Sequence, residues 1–165
     1  MSKVIGLDLA ALQSRPSGFC LLGKKLETEI LYSDEEIIKK ILDSKPKVIA
    51  MDAPLSLPKR GAFRKCDRKL HKKKIPVFSF NLPSLRKLAI RAFILKKRIK
   101  KAIKCKIIET YPYAVLILDK KIAKKLARKR FRTKHEKDAY ICALVAEAYL
   151  KKEAKKFSGE GTIWF

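Results

Sequence analysis

Residues 4–52 read VIGLDLAALQSRPSGFCLLGKKLETEILYSDEEIIKKILDSKPKVIAMD, and their pattern sets the fold. Val4-Ile5-Gly6-Leu7-Asp8-Leu9 is an apolar run with the length of a buried strand. Pro16-Ser17-Gly18 is a turn signal, and Phe19-Cys20-Leu21-Leu22 follows as a short strand. Gly23-Lys24-Lys25 turns the chain into Leu26-Glu27-Thr28-Glu29-Ile30-Leu31-Tyr32, which alternates as a half-exposed strand does. Three strands on tight connections predict an antiparallel meander. Ser33 followed by Glu36 is a capping box that opens a helix through Ile37, Ile38, Ile41 and Leu42. Pro46 marks its end, and Val48-Ile49-Ala50-Met51-Asp52 is a second buried strand. Strand, helix and strand imply a right-handed crossover, with 48–52 parallel to one strand of the meander.

Downstream, residues 53–83 are broken by Pro54, Pro58, Gly61, Pro76 and Pro83 and read as an irregular insertion of the length that carries function. Leu85, Leu88, Ala89, Ala92, Leu95 and Ile99 then recur at helical spacing. The opposite face carries Arg86, Lys87, Arg91, Lys97, Arg98 and Lys101, and insertion plus helix span roughly 53–104. Cys105-Lys106-Ile107-Ile108-Glu109 is another strand, stopped by Pro112. Asp119 caps a short basic helix, and Thr133 with Glu136 opens a last helix over about 134–156. Gly159 and Gly161 break the chain before Thr162-Ile163-Trp164-Phe165. The alternation predicts an α/β domain over residues 1–165.

Composition narrows the class. At 165 residues and 47% hydrophobic content the chain can bury a core without staples, so it is not a disordered basic tail. Its four cysteines form no C-x-x-C pair, which argues against a zinc site or disulfide framework. No apolar run approaches the ~20 residues of a membrane span, and Met1-Ser2-Lys3 leads directly into a strand. A cytoplasmic protein without membrane association is expected. Residues 1–43 carry six Lys/Arg against seven Asp/Glu, whereas 44–165 carry 35 against nine. Such a field attracts polyanions, nucleic acid first.

Against that basicity, four acids border apolar segments. Asp8, Asp52 and Glu109 each lie at or beside a strand's C-terminal end, the edge where open α/β sheets bind ligands. Asp138 sits in the first turns of the final helix, three residues after His135 and on the same helix face. Carboxylates so placed suit Mg²⁺ or Mn²⁺, which take oxygen ligands and in pairs can clamp a scissile phosphate. Acids ending strands are also common turn or cap residues. His135 reads as a metal ligand, a general acid/base, a phosphate contact or an exposed first-turn residue.

The order V-I-G-L-D-L-A, V-I-A-M-D-A-P-L-S-L-P, R-K-C-D-R-K-L, I-I-E-T-Y-P, H-E-K-D-A-Y-I-C-A and G-E-G-T-I-W-F resembles one family throughout. It is the prokaryotic family catalogued as domain of unknown function 429, predicted to be nucleases with an RNase H-like fold. The resemblance implies a mixed five-stranded sheet, its first three strands antiparallel, with the Asp8 strand between the second strand and the Asp52 strand. By the wider resemblance to RNase H-like nucleases, Asp8, Asp52 and Asp138 would hold the metals. Glu109 matches the family's own acid after the fifth strand and is a fourth candidate ligand. The His135-x-x-Asp138 spacing is similar to that in RuvC-type junction resolvases, although their second acid is usually Glu where this chain has Asp52.

Lys59 to Ile75 holds nine Lys/Arg around one acid, Asp67. Arg60, Arg64, Arg68 and Lys134 are candidate phosphate contacts, since guanidinium forks onto phosphate oxygens. Asp67 and Arg68 could instead form a structural pair that pins the loop. Phe63, Phe78 and Phe80, like Tyr111 and Tyr113, read either as base-stacking platforms or as anchors into the core. Nine Lys/Arg among residues 120–134 lead into His135. The leading expectation is a metal-dependent nuclease acting on DNA or RNA, with catalytic Asp8, Asp52, Glu109, His135 and Asp138. The alternatives are a non-catalytic nucleic-acid-binding module and a phosphotransferase of the actin-like ATPase class. The latter usually places Gly and Thr after its first aspartate, where Leu9-Ala10-Ala11 stands here. A junction-cutting activity would require a homodimer.

Overall fold

The computed structural model describes residues 2–165. Strands β1 (Val4–Asp8), β2 (Ser17–Leu22) and β3 (Leu26–Leu31) form the expected meander. Helix α1 (Asp34–Ser44) begins at the Ser33–Glu36 capping box, and the chain crosses over to β4 (Val48–Asp52), which pairs parallel with β1. After α2 (Lys65–Lys72) and α3 (Pro83–Ala102), β5 (Lys106–Thr110) adds parallel to β4. Helices α4 (Pro112–Leu118), α5 (Lys120–Ala127) and α6 (Lys134–Leu150) follow, then β6 (Lys156–Ser158) and β7 (Thr162–Trp164).

The sheet has seven strands in the order β3-β2-β1-β4-β5-β7-β6, not five. The extra two come from the C-terminal tail. Helix α6 stops at Leu150 rather than near 156, because Lys152 takes a left-handed conformation (φ 60°) and turns the chain. Gly159 (φ 144°) and Glu160 (φ 57°) then fold the tail into a hairpin, and β7 pairs parallel with β5. The insertion is also more ordered than expected, since α2 lies within it. Pro112 ends β5 and supplies the first turn of α4, where its missing N–H costs nothing.

Alternation along the strands sorts the core into two layers. Val4, Val48, Ala50 and Ile108 face α6, whereas Ile5, Leu7, Ile49, Met51 and Ile107 face α1 and α3. Helix α6 lies directly on β1 and β2 because glycines leave it room. A Cβ at Gly6 would stand 1.9 Å from the Ala139 carbonyl oxygen, and one at Gly18 would stand 2.0 Å from that of His135. Among the described residues, no helix is long and apolar enough to cross a membrane.

Candidate active site

Asp8 and Asp52 are the last residues of adjacent parallel strands and are direct register partners. Each continues the even-numbered, α6-facing row of its strand, so both carboxylates leave the sheet on one face. The close seat of α6 on Gly6 and Gly18 brings its first turn over them. His135 Nδ1 lies 2.7 Å from Asp8 Oδ2, and Asp138, three residues on, shares its helix face.

The three acids oppose one another electrostatically. Burial pushes the Asp52 carboxyl well above its ordinary value, and the charges of Asp8, Asp138 and Glu109 push it further. Burial also raises Asp8, opposed by the hydrogen bond and charge of His135, and raises Asp138 with the help of Asp8. Lys134, exposed at the start of α6, is the cation whose field favours ionisation of all three. Among the described residues, neither Asp52 nor Asp138 has a salt-bridge partner.

Glu109 does not join them. It pairs in register with Met51, not Asp52, and therefore takes the opposite parity and faces away from α6. There it is buried, and Arg64 donates to both of its oxygens, from Nη2 at 2.6 Å and Nη1 at 2.9 Å. The Leu55 N–H adds a third bond at 2.8 Å. Burial raises the Glu109 carboxyl above its ordinary value, and the Arg64 hydrogen bonds offset that only in part. A carboxylate so occupied anchors the insertion to the sheet, although it still lines the same cleft as Asp8 and Asp52 and its charge reaches Asp52.

Arg64 likewise departs from expectation. It is 2% exposed and also donates to Asp67, from Nε at 3.0 Å and Nη2 at 2.8 Å, so it cannot reach a phosphate in solvent. The pair that pins the insertion is Asp67 with Arg64, not with Arg68. Burial works against the Arg64 charge, but its hydrogen bonds to Asp67 and Glu109 outweigh it and raise its pKa. Arg60 and Arg68 are exposed, as is Lys134. Phe80 is buried beneath the Arg64 guanidinium, 5.3 Å from the ring centre, and Phe63 packs edge-on against His71. Phe78, by contrast, is 67% exposed.

Two further positions hold the site's surroundings. Arg91, expected on the solvent face of α3, is buried; it pairs with Asp34 and donates to the carbonyls of Ala10 and Tyr32. It thus fixes the segment leaving Asp8. The signal was present, because Arg91 stands three residues after Leu88 and four before Leu95, on the apolar side of the helix. Glu160 in the tail accepts N–H bonds from Lys59 and Lys65 and so fastens the hairpin to the start of α2.

A family model described as "Protein of unknown function (DUF429)" matches residues 6–129. The chain belongs to this family. The DUF429 match contains Asp8, Asp52 and the Arg64–Asp67–Glu109 network and ends before His135 and Asp138. Among solved structures, Thermus thermophilus RuvC in complex with a Holliday junction substrate aligns with a TM-score of 0.55 at 14% identity, covering 94% of this chain and 99% of that one. A second Thermus thermophilus RuvC structure aligns with a TM-score of 0.53, also at 14% identity, over 93% and 98%. At such identity the likeness is one of fold, and this DUF429 protein has an RNase H-like fold. No curated protein matches the chain.

The fold family implies divalent cations, and the donor chemistry here suits them. Three hard carboxylate donors from three elements repel one another, with His135 paired to only one of them; a divalent ion would relieve that repulsion. Among the described residues, no three metal-binding side chains already converge into a closed cage.

Proposed function

We propose that this protein is a metal-dependent nuclease that hydrolyses phosphodiester bonds of nucleic acid at the Asp8–Asp52–Asp138 edge of the sheet. The observation that carries the reading is the register pairing of Asp8 with Asp52, on the face where α6 delivers His135 and Asp138. Asp8, Asp52 and Asp138 would hold Mg²⁺ or Mn²⁺. Such a cation, when bound, polarises the phosphate, lowers the pKa of a water and neutralises the leaving oxygen.

The chain's own residues supply the rest. A proton on His135 Nδ1, donated to Asp8, leaves Nε2 as an acceptor for a proton from the attacking water. Lys134 favours ionised acids and offers a positive charge beside them to the phosphate backbone. The exposed cations of the insertion and of residues 120–134 give affinity without sequence choice.

The test is cleavage of single-stranded, duplex, hybrid and junction substrates with Mg²⁺ or Mn²⁺. Wild type should cut at least one, and Asp8→Asn should lose activity by 10²-fold or more, on the order of one transition-state electrostatic contact. Equal activity in both proteins, or none on any substrate, would defeat the nuclease reading and favour a binding module.

A further inference from the structure

Beside the acids the surface opens into a cleft of about 230 Å³ lined by Asp8 and Asp52 together with Val77, Phe78, Leu85 and Tyr111. It is smaller than the ~300–1,000 Å³ of typical small-molecule pockets, a size for one ring system rather than a whole nucleotide. Its charged lining is Asp8, Asp52, Asp67 and Glu109 against Arg64 alone, and Arg64 is fully engaged by the last two. A phosphate would be repelled from such a floor. A neutral planar group would not be, and apolar walls with an aromatic rim favour it.

The aromatic ring open to solvent is Phe78, the most exposed large hydrophobic among the described residues. It projects from an insertion rich in lysine, while Tyr111 is held in place by its hydroxyl bond to the Pro76 carbonyl at 3.0 Å. The chain's positive field would draw a polyanion across this surface, and the neutral part of a nucleic acid is its base.

We propose that this cleft is a base pocket: it takes one unpaired nucleobase, adjacent to the phosphodiester at Asp8 and Asp52, by stacking on Phe78. The proposal rests on the nuclease reading for what happens at the acids, but base capture does not need cleavage. Because Arg64, Asp67 and Glu109 satisfy one another, stacking dominates over reading of base edges, and the pocket tolerates all four bases. The substrate class is therefore nucleic acid with a single-stranded or unpaired nucleotide at the cut, not continuous duplex.

The experiment uses full-length protein in EDTA with gapped and fully paired DNA carrying 2-aminopurine at successive positions. Quenching at one unpaired position is expected, with no comparable change in the paired duplex. Phe78→Ala should abolish the quench and weaken gapped-DNA binding roughly 5- to 150-fold, the usual worth of one stacked base. Phe78→Tyr should retain both, and an abasic residue at the quenched position should make binding indifferent to Phe78→Ala. Binding without a quenched position, or equal weakening of gapped and paired DNA by Phe78→Ala, would overturn the pocket while leaving cleavage untouched. A quench in a protein that cuts nothing when Mg²⁺ or Mn²⁺ is restored would uphold the pocket and remove the nuclease.

Discussion

Replacing Arg64 by methionine removes one cation from between two carboxylates with almost no access to water. The side chains of Arg64, Asp67 and Glu109 are 3%, 0% and 5% exposed. Breaking a buried pair by deleting one partner costs roughly 3–5 kcal/mol, because the remaining charge is left uncompensated. Arg64 serves two such partners and also donates to Ser56 Oγ at 2.9 Å, so Arg64→Met belongs at the upper end. Against a typical total stability of 5–15 kcal/mol that is a large fraction. The loss should depend on pH. With Arg64 gone, burial and the Asp67 charge act against the Leu55 N–H alone and push the folded-state pKa of Glu109, already above its ordinary value, further above the unfolded value near 4. A group raised in the folded state stabilises at low pH and loses that contribution as pH rises, so the deficit should be greatest at neutral pH and shrink towards pH 5. Denaturant midpoints at pH 5 and 7.5, with wild-type slopes, measure both effects. Neutralising the carboxylates as well, in Arg64→Met/Asp67→Asn/Glu109→Gln, should recover at least half of the loss. A cost below about 1 kcal/mol for Arg64→Met, or a triple variant as unstable as the single one, would refute the view that this network is held by its charge balance.

The remaining expectations follow from the same electrostatics. Asp52→Asn removes a carboxylate that burial and its acidic neighbours disfavour, so it should raise the denaturation midpoint at neutral pH, with the gain fading in acid. Mg²⁺ at 100 times its Kd should stabilise wild type by about 2.7 kcal/mol and leave Asp52→Asn nearly unmoved; equal responses in thermal melts would count against Asp52 as a ligand. Glu160→Ala should free the start of α2 from the tail hairpin, and hydrogen exchange across residues 57–72 should accelerate while the central strands stay protected. The Glu160 carboxyl is held below its ordinary value chiefly by the Lys65 N–H, so this fastening is complete above the unfolded pKa and is lost as pH falls. Exchange in the insertion of wild type should therefore rise in acid.

The meander and both Ser/Thr–Glu capping boxes are legible because each depends on residues within one turn or hairpin of one another. Asp8 and Asp52 could be placed side by side for a related reason: each ends its strand, and the crossover aligns the ends. Glu109 looks equally terminal in the sequence, yet β5 runs one residue further, and Glu109 registers with Met51 rather than with Asp52. A one-residue difference in pairing moves a side chain through the sheet, and nothing local to I-I-E-T reveals it. The tail failed similarly. Gly159 and Gly161 were visible as breaks, but the pairing of β7 with β5 joins positions more than 50 residues apart. Arg64 was legible in part, since its i,i+3 spacing to Asp67 signals a helix-start pair, while Glu109 comes from a strand elsewhere in the chain.

That parity divides the acids into two groups with different physics. On the α1/α3 side, Glu109 and Asp67 are buried and compensated by Arg64 down to individual hydrogen bonds. On the α6 side, the charges of Asp8 and Asp138 act on Asp52 and that of Asp8 acts on Asp138, and His135 is directly bonded only to Asp8. The chain has 41 Lys and Arg, so cations for compensation are abundant. Lys134 stands beside all three acids yet remains in solvent, unbonded to them among the described residues. A protein that builds a buried charge network on one face and leaves like charges facing one another on the other holds the second group against its own stability. Perturbed acids of this kind concentrate where chemistry is done.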